Sequence, residues 1–371
     1  CGNRQSRNLV VSIDGTSNQF GTYNTNVVAL HSRVLADPST HQNKYYNCGI
    51  GTYVPPEAKA SLSYWRQRVD NIIDLAIAWN FKDIILKAYR WLSREYVPGD
   101  RIFLLGELAC FSRGAYQVRT LAAMIKKVGL VHSGNEEMIT FAYEIYCQRH
   151  KGKESEAEKI AAHFKNTFSR DVQIHFAGLW DTVSSAGLVR GKPLPLTWSG
   201  EHICTVRHAL ALDERRVKFL PEYVPENASG SGSPEASKAV PDSGSPKNSK
   251  LKTVLWDVKE VWFPGTHSDI GGGVDKNLEL NLSSVPLLWM ENEATSAGLR
   301  LKPRKAGEWN ISGVQEKPHE SLRGFWRLIE YLPLKRLTYK DHKDHAELDT
   351  RMPHRGGGRV IVPGQRIHIS L

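Results

Sequence analysis

At 371 residues, 40% of them hydrophobic and 10 of them tryptophan, the chain is long enough for one large α/β domain with insertions, which excludes a disulfide-stapled miniprotein. No run of about 18 apolar residues escapes a charge, so the pattern is that of a soluble globular protein. The formal charge of +10, from 49 Lys and Arg against 39 Asp and Glu, favours anionic partners, but it is spread along the chain and reads first as a solvated surface.

In chain order, Leu9-Val10-Val11-Ser12-Ile13 is a buried strand that stops at the polar loop Asp14-Gly15-Thr16. Apolar positions from Leu62 to Leu92 recur at helical spacing over about residues 60–96. A second strand, Arg101 to Leu105, follows the turn signal Pro98-Gly99-Asp100, so strand, helix and strand compose the βαβ grammar of a parallel sheet. After Ser112, the spacing of Ala115, Val118, Ala122 and Ile125 predicts a helix that Gly129 ends. Two further strands run from Val172 to Trp180 and from Val254 to Phe263. Each strand ends in a polar cluster, where open α/β sheets place their sites. Residues 226–250 are rich in Ser, Gly, Pro and Lys with no apolar period, which predicts a disordered surface insertion inside the domain.

The five cysteines are widely spaced and never in CxxC or zinc-ligand spacing, which argues for reduced thiols and a cytoplasmic setting. The N-terminus shows no signal pattern and no initiator Met, as a trimmed start would.

Cys110-Phe111-Ser112-Arg113-Gly114 lies between a strand and a helix. A nucleophile elbow needs small residues two before and two after its serine, because the strand and helix backbones nearly touch there. Gly114 satisfies one side and Cys110 does not satisfy the other. A helix-capping serine is the competing reading of the pentapeptide alone. The wider pattern favours the nucleophile, because Ser112, Asp181 and His267 stand in the chain order Ser, Asp, His of α/β-hydrolases. Asp181 ends a strand, and His267 lies in the Gly-rich loop after the last one. Backbone N–H groups of Gly15 and Thr16, with that of Arg113, are the candidate oxyanion and substrate-binding donors; the alternative for the first loop is an Asx turn. Asp14 and Asp269 are candidate secondary acids, with an Asx-type turn as the alternative for Asp269. His368 alternates like a structural strand residue.

Several separated blocks, among them Val11-Ser12-Ile13-Asp14-Gly15-Thr16-Ser17-Asn18, Phe111-Ser112-Arg113-Gly114-Ala115-Tyr116, Gly178-Leu179-Trp180-Asp181-Thr182-Val183, Ala209 to Arg216 and Trp262 to Gly273, resemble a widespread α/β-hydrolase-like family. That family, abundant in fungi, is similar to the phospholipase effectors of bacterial type VI secretion. The resemblance implies Ser112 as nucleophile, Asp181 as acid, His267 as general base, and ester hydrolysis. The chain departs from the family pattern by four residues: removing Glu107, Leu108, Ala109 and Cys110 would leave Gly106-Phe111-Ser112-Arg113-Gly114, a complete elbow.

The expectation is therefore an α/β fold with a mainly parallel sheet flanked by helices, α/β-hydrolase-like. Its main domain is 8–300, and a small C-terminal extension, 301–371, packs on it as a peripheral subdomain. The function expected is that of a serine-dependent ester hydrolase, lipase-like, needing neither cofactor nor metal. Its substrate would be a small-molecule or lipid ester, with peripheral contact to an anionic membrane and no nucleic-acid partner. Impairment by the 107–110 insertion, a non-catalytic scaffold, or a metal-dependent phosphoesterase using Asp14, Asp181, His267 and Asp269 are the competing readings.

Overall fold

Runs of apolar residues unbroken by polar alternation form strands buried on both faces, and such strands belong in parallel sheets. The computed structural model describes residues 6–15, 24–36, 38–48, 66–107, 114–148, 154–183, 202–224, 257–273, 281–304, 317–334, 336–339, 346–349 and 352–370. Among them the elements are β1 (Asn8–Ile13), α1 (Asn26–Arg33), β2 (Gln42–Asn47), α2 (Arg66–Glu95), β3 (Arg101–Glu107), α3 (Gly114–Val128), β4 (Leu130–Val131), α4 (Met138–Cys147), α5 (Glu154–Phe168), β5 (Ser169–Arg170), β6 (Ile174–Trp180), β7 (Ile203–Ala211), β8 (Asp257–Phe263), α6 (His267–Gly271), α7 (Ser284–Ser296), α8 (Phe325–Ile329), β9 (Arg336–Tyr339), β10 (Ala346–Asp349) and β11 (Arg366–Ile367).

Seven strands form one sheet in the order β11-β8-β7-β6-β3-β1-β2, every neighbouring pair parallel. β4 with β5 and β9 with β10 are small antiparallel pairs outside it. Side chains alternate between two cores. Leu9, Val11, Ile102 and Leu104 pack against Ile85, Leu92, Leu121 and Ile125 of α2 and α3. Val10, Phe103 and Leu105 face Val27 and Leu30 of α1 and Met290 of α7. The fold is thus a three-layer α/β sandwich around a parallel sheet. The helix expected after Ser112 buries all four predicted positions, and Gly129, at φ +73°, ends it by donating its N–H to the Ile125 carbonyl at 2.9 Å.

Because β2 and β3 flank β1 on opposite sides, the strand order reverses between β1 and β3, the position at which open α/β sheets typically bind their ligands. Ser112 belongs to the connection from β3 to α3 and, like Arg113 and Thr16, lies outside the described residues, as does the 226–250 insertion. The two glycines bracketing that connection are in close approach. A Cβ on Gly106 would lie 2.9 Å from the Gly114 carbonyl oxygen, and one on Gly114 would collide with the carbonyl oxygens of Glu107, Ile13 and Asp14. Gly106 is therefore a close-packed small partner of Gly114, and Cys110 lies outside the described residues. Glu107, the first of the four extra residues, continues β3 in register with Trp180. Backbone oxygens cannot yield to a methyl group, so Gly114→Ala is expected to destabilise the fold by about 1–3 kcal/mol, the reverse of the usual gain from Gly→Ala in a helix, as urea unfolding would measure.

Among the described residues beyond 300, β11 extends the sheet by joining β8 as an edge strand, and His368 donates its backbone N–H to the Trp262 carbonyl at 2.9 Å while its ring stacks on Phe263. One thiol expectation changes. Cys204 is disulfide-bonded, with a partner outside the described residues, whereas Cys48 and Cys147 are free. No helix among the described residues is long and apolar enough to cross a membrane.

Candidate active site

Asp181 follows β6 directly, and its backbone takes a left-handed turn at φ +42°, a conformation Asp tolerates better than most residues. Its N–H is held by the Ala209 carbonyl at 2.7 Å, and the turn aims the carboxylate across the end of β7, where Oδ1 accepts the Ala211 N–H at 2.9 Å. His267 is the first residue of α6. It is set there by Gly265, whose φ of +120° and contact with Asp269 leave no room for a side chain, and whose N–H donates to Asp213 at 2.7 Å.

The two residues meet: His267 Nδ1 donates to Asp181 Oδ2 at 2.6 Å, both side chains being 1% exposed. That bond fixes the tautomer and leaves Nε2 as the acceptor. Nε2 is buried and has no partner among the described residues. The imidazole is wedged edge-on against Phe219, whose ring is in turn covered by the Arg216 guanidinium and flanked by Trp326. Its backbone N–H donates to Glu214 at 3.2 Å, and Glu214 is itself paired with Arg216. Burial raises the Glu214 carboxyl, but the Arg216 hydrogen bonds and charge overcome it and hold it below the ordinary range.

A guanidinium completes the centre. Arg359, fully buried, donates to both oxygens of Asp181, from one nitrogen to Oδ1 at 2.5 Å and from the other to Oδ2 at 2.9 Å. It also donates to the carbonyls of Ala211 and Phe219. Burial pushes the Asp181 carboxyl up, yet the Arg359 charge and the His267 hydrogen bond prevail and keep it well below the usual carboxylate range.

The other predicted residues serve differently. Asp269 closes the first turn of α6 by accepting from the N–H and hydroxyl of Thr266, and its second oxygen pairs with His319 at 2.5 Å. Asp14 ends β1 with a buried carboxylate that accepts from Tyr46 at 2.8 Å, Thr25 at 2.8 Å and Gly15 N–H at 2.6 Å. Burial pushes its carboxyl up. Gly15 N–H, expected as an oxyanion donor, is thus engaged by the carboxylate of the preceding residue. Asp14, Asp181, His267 and Asp269 do not converge, and among the described residues no three His, Cys, Asp or Glu side chains form a metal cluster. Glu107, read as part of an insertion, is buried beneath α6: its carboxylate abuts Gly271 where a Cβ would sit.

Arg359, Glu214 and Phe219 carry no role in the sequence reading. Glu214 lies in the Ala209–Arg216 block, which was a usable signal. Arg359 is one basic residue among 49 and offered none.

Comparison with known proteins adds family membership. The model described as "T6SS, Phospholipase effector Tle1-like, catalytic domain" matches residues 7–293, a span that includes Asp181 and His267 and stops short of Arg359. The uncharacterized protein YEL023C of Saccharomyces cerevisiae is similar at 30% identity over 404 residues, covering 80% of this chain and 58% of the yeast protein. Among solved structures, an uncharacterized protein from Pseudomonas aeruginosa is similar at TM-score 0.40 and 17% identity, over 80% of this chain and 46% of the other. The Tle1 effector bound to the VgrG spike of the type 6 secretion system is similar at TM-score 0.35 and 16% identity, over 73% and 51%. The chain spans less than two thirds of the length of each of these relatives. With more than three quarters of its residues inside the family match, the chain belongs to the Tle1-like phospholipase effector catalytic-domain family.

Proposed function

We propose that the chain is a serine-dependent hydrolase of carboxylic esters, lipase-like in substrate class, with Ser112 as nucleophile, His267 as general base and Asp181 as the acid that orients it. The observation that carries this reading is the buried Asp181–His267 pair, whose second ring nitrogen, Nε2, has no partner among the described residues. Nε2 takes the Ser112 hydroxyl proton as Oγ attacks the ester carbonyl, then returns it to the leaving alcohol; a water repeats the cycle on the acyl-enzyme. With Gly15 engaged, Arg113 and Thr16 are the backbone donors left for the oxyanion, each typically worth about 2.7–4 kcal/mol in the transition state. The family points to phospholipid acyl esters, and the +10 charge suits an anionic lipid surface. The test is a serine-reactive fluorophosphonate with the adduct located by mass spectrometry: label on Ser112 is the expected result, and an unlabelled or differently labelled chain refutes it.

The extra residues set the rate. Seven residues, 107–113, separate the close-packed glycines Gly106 and Gly114, where a compact elbow needs three. A nucleophile displaced by about 1 Å loses on the order of 10²-fold in rate, so deleting Glu107–Cys110 is expected to speed fluorophosphonate labelling by about that factor. Equal labelling rates in the two chains would show that the longer connection seats the serine correctly.

A further inference from the structure

We infer that Arg359 is a positioning residue for the hydrolase centre: it clamps Asp181 through both carboxylate oxygens and supplies the counter-charge to that buried carboxylate, so that Asp181 orients the His267 imidazole without needing it as a counter-ion. This rests on the proposed roles of Asp181 and His267.

The geometry is one of complete saturation. Asp181 Oδ1 receives Arg359 and the Ala211 N–H, and Oδ2 receives Arg359 and His267 Nδ1, so among the described residues every contact on the carboxylate is a donor and two of the four come from one guanidinium. A planar bidentate fork fixes the carboxylate's orientation as a single-point ammonium cannot. The guanidinium is itself held in place by the Ala211 and Phe219 carbonyls, and Phe219 is the ring against which the imidazole packs. The guanidinium therefore holds Asp181 directly and is linked to His267 through Phe219.

The electrostatic consequence follows from burial. A carboxylate buried beside an imidazole with no other counter-charge stabilises the imidazolium, and an opposite charge at this distance typically moves a pKa by about 1–3 units. Arg359 supplies the counter-charge instead. Of the other charged groups around the imidazole, Glu214, on its backbone N–H, is paired with Arg216, and Asp269, on its own helix, is engaged by hydrogen bonds from Thr266 and by His319. None of them touches Asp181. Arg359 comes from beyond residue 293, outside the family match, so this part of the centre is supplied by the C-terminal stretch.

The experiment is an NMR titration of the His267 imidazole in the intact chain, compared among the parent, Arg359→Gln and Arg359→Lys. Arg359→Gln, which keeps donors for the two carbonyls but removes the charge, is expected to raise the imidazole titration by about one unit or more. Arg359→Lys, which restores the charge without the fork, is expected to bring it most of the way back. At neutral pH, fluorophosphonate labelling of Arg359→Gln should fall about tenfold and recover as the pH is raised, a recovery that a purely structural defect would not show. An unmoved imidazole in folded Arg359→Gln overturns the inference. Should that variant fail to fold, Arg359→Lys decides alone, since a full-unit displacement with the charge retained overturns it and a near-parent value supports it. The imidazole reading needs no substrate. A shifted imidazole in a parent chain that resists labelling would support the clamp and sink the hydrolase reading, and a labelled parent with an unmoved imidazole would do the opposite.

Discussion

Ser112→Ala and His267→Ala are each expected to lower ester hydrolysis by about 10⁶-fold, and the double variant by no more than either one alone. The two side chains act as one unit: without the imidazole the hydroxyl has no base, and without the hydroxyl the base has nothing to activate. The loss should appear in kcat and kcat/KM together, because the interaction removed exists only in the transition state. His267 is also packed against Phe219, so its removal leaves a cavity and thermal unfolding must accompany the kinetics; His267→Gln, closer in volume, separates the two effects. Additive losses in the double variant would mean that the residues belong to different steps, and the proposed mechanism would fall.

Asp181→Asn is expected to cost about 10⁴-fold in kcat. Asn suits the left-handed backbone at this position, so the turn itself survives. The chemistry does not. Among the described residues all four contacts on the Asp181 carboxylate are donors, and an amide presents one accepting oxygen and one nitrogen that only donates, which sets N–H groups against Arg359 in either orientation and against the His267 Nδ1–H in one of them. In that orientation the imidazole adopts the wrong tautomer, with Nε2 protonated and unable to accept from Ser112. Stability falls as well, by about 3–5 kcal/mol at neutral pH, because Arg359 is left as an uncompensated buried charge. The sign with pH is fixed by the direction of the shift. Asp181 is held below the ordinary carboxylate range, so its ionised form stabilises the fold at any pH above the unfolded-state value of about 3.9. That contribution is lost only as the pH falls through the lower folded-state value. Denaturant unfolding of parent and Asp181→Asn should therefore differ most near neutrality and converge in acid.

The central strands were legible because their burial on both faces leaves an unmistakable apolar run, as in β1, β3 and β6. β2 and β7 were not. The first is an edge strand, Gln42–Asn47, made almost wholly of polar residues. The second buries Arg207, whose charge is met by Asp257 and Glu293, and His208, whose ring bonds Glu260 through Nδ1 and accepts the Thr182 N–H at Nε2, so the pairing that permits burial also hides the strand pattern. The Asp181–His267 pairing was legible in outline, since both residues end strands or begin the turn after one. Arg359 was not, because a buried arginine is identified by its partner in space and nothing in its neighbourhood, Gly356-Gly357-Gly358-Arg359, names a residue 178 positions earlier. The glycine pair likewise became clear only in three dimensions, where Gly106 packs closely against Gly114.

That separation of 178 residues has a temporal side. A ribosome adds roughly 5–20 residues per second, so Arg359 is synthesised about 10–35 s after Asp181. During that interval β1, β3 and β6 are already available to pair, while the aspartate that ends β6 still lacks the cation that makes its burial favourable. The nascent sheet can therefore assemble ahead of its hydrolytic centre, and interruption of synthesis in this window would leave a fragment containing Ser112 and Asp181 but not the Arg359 clamp.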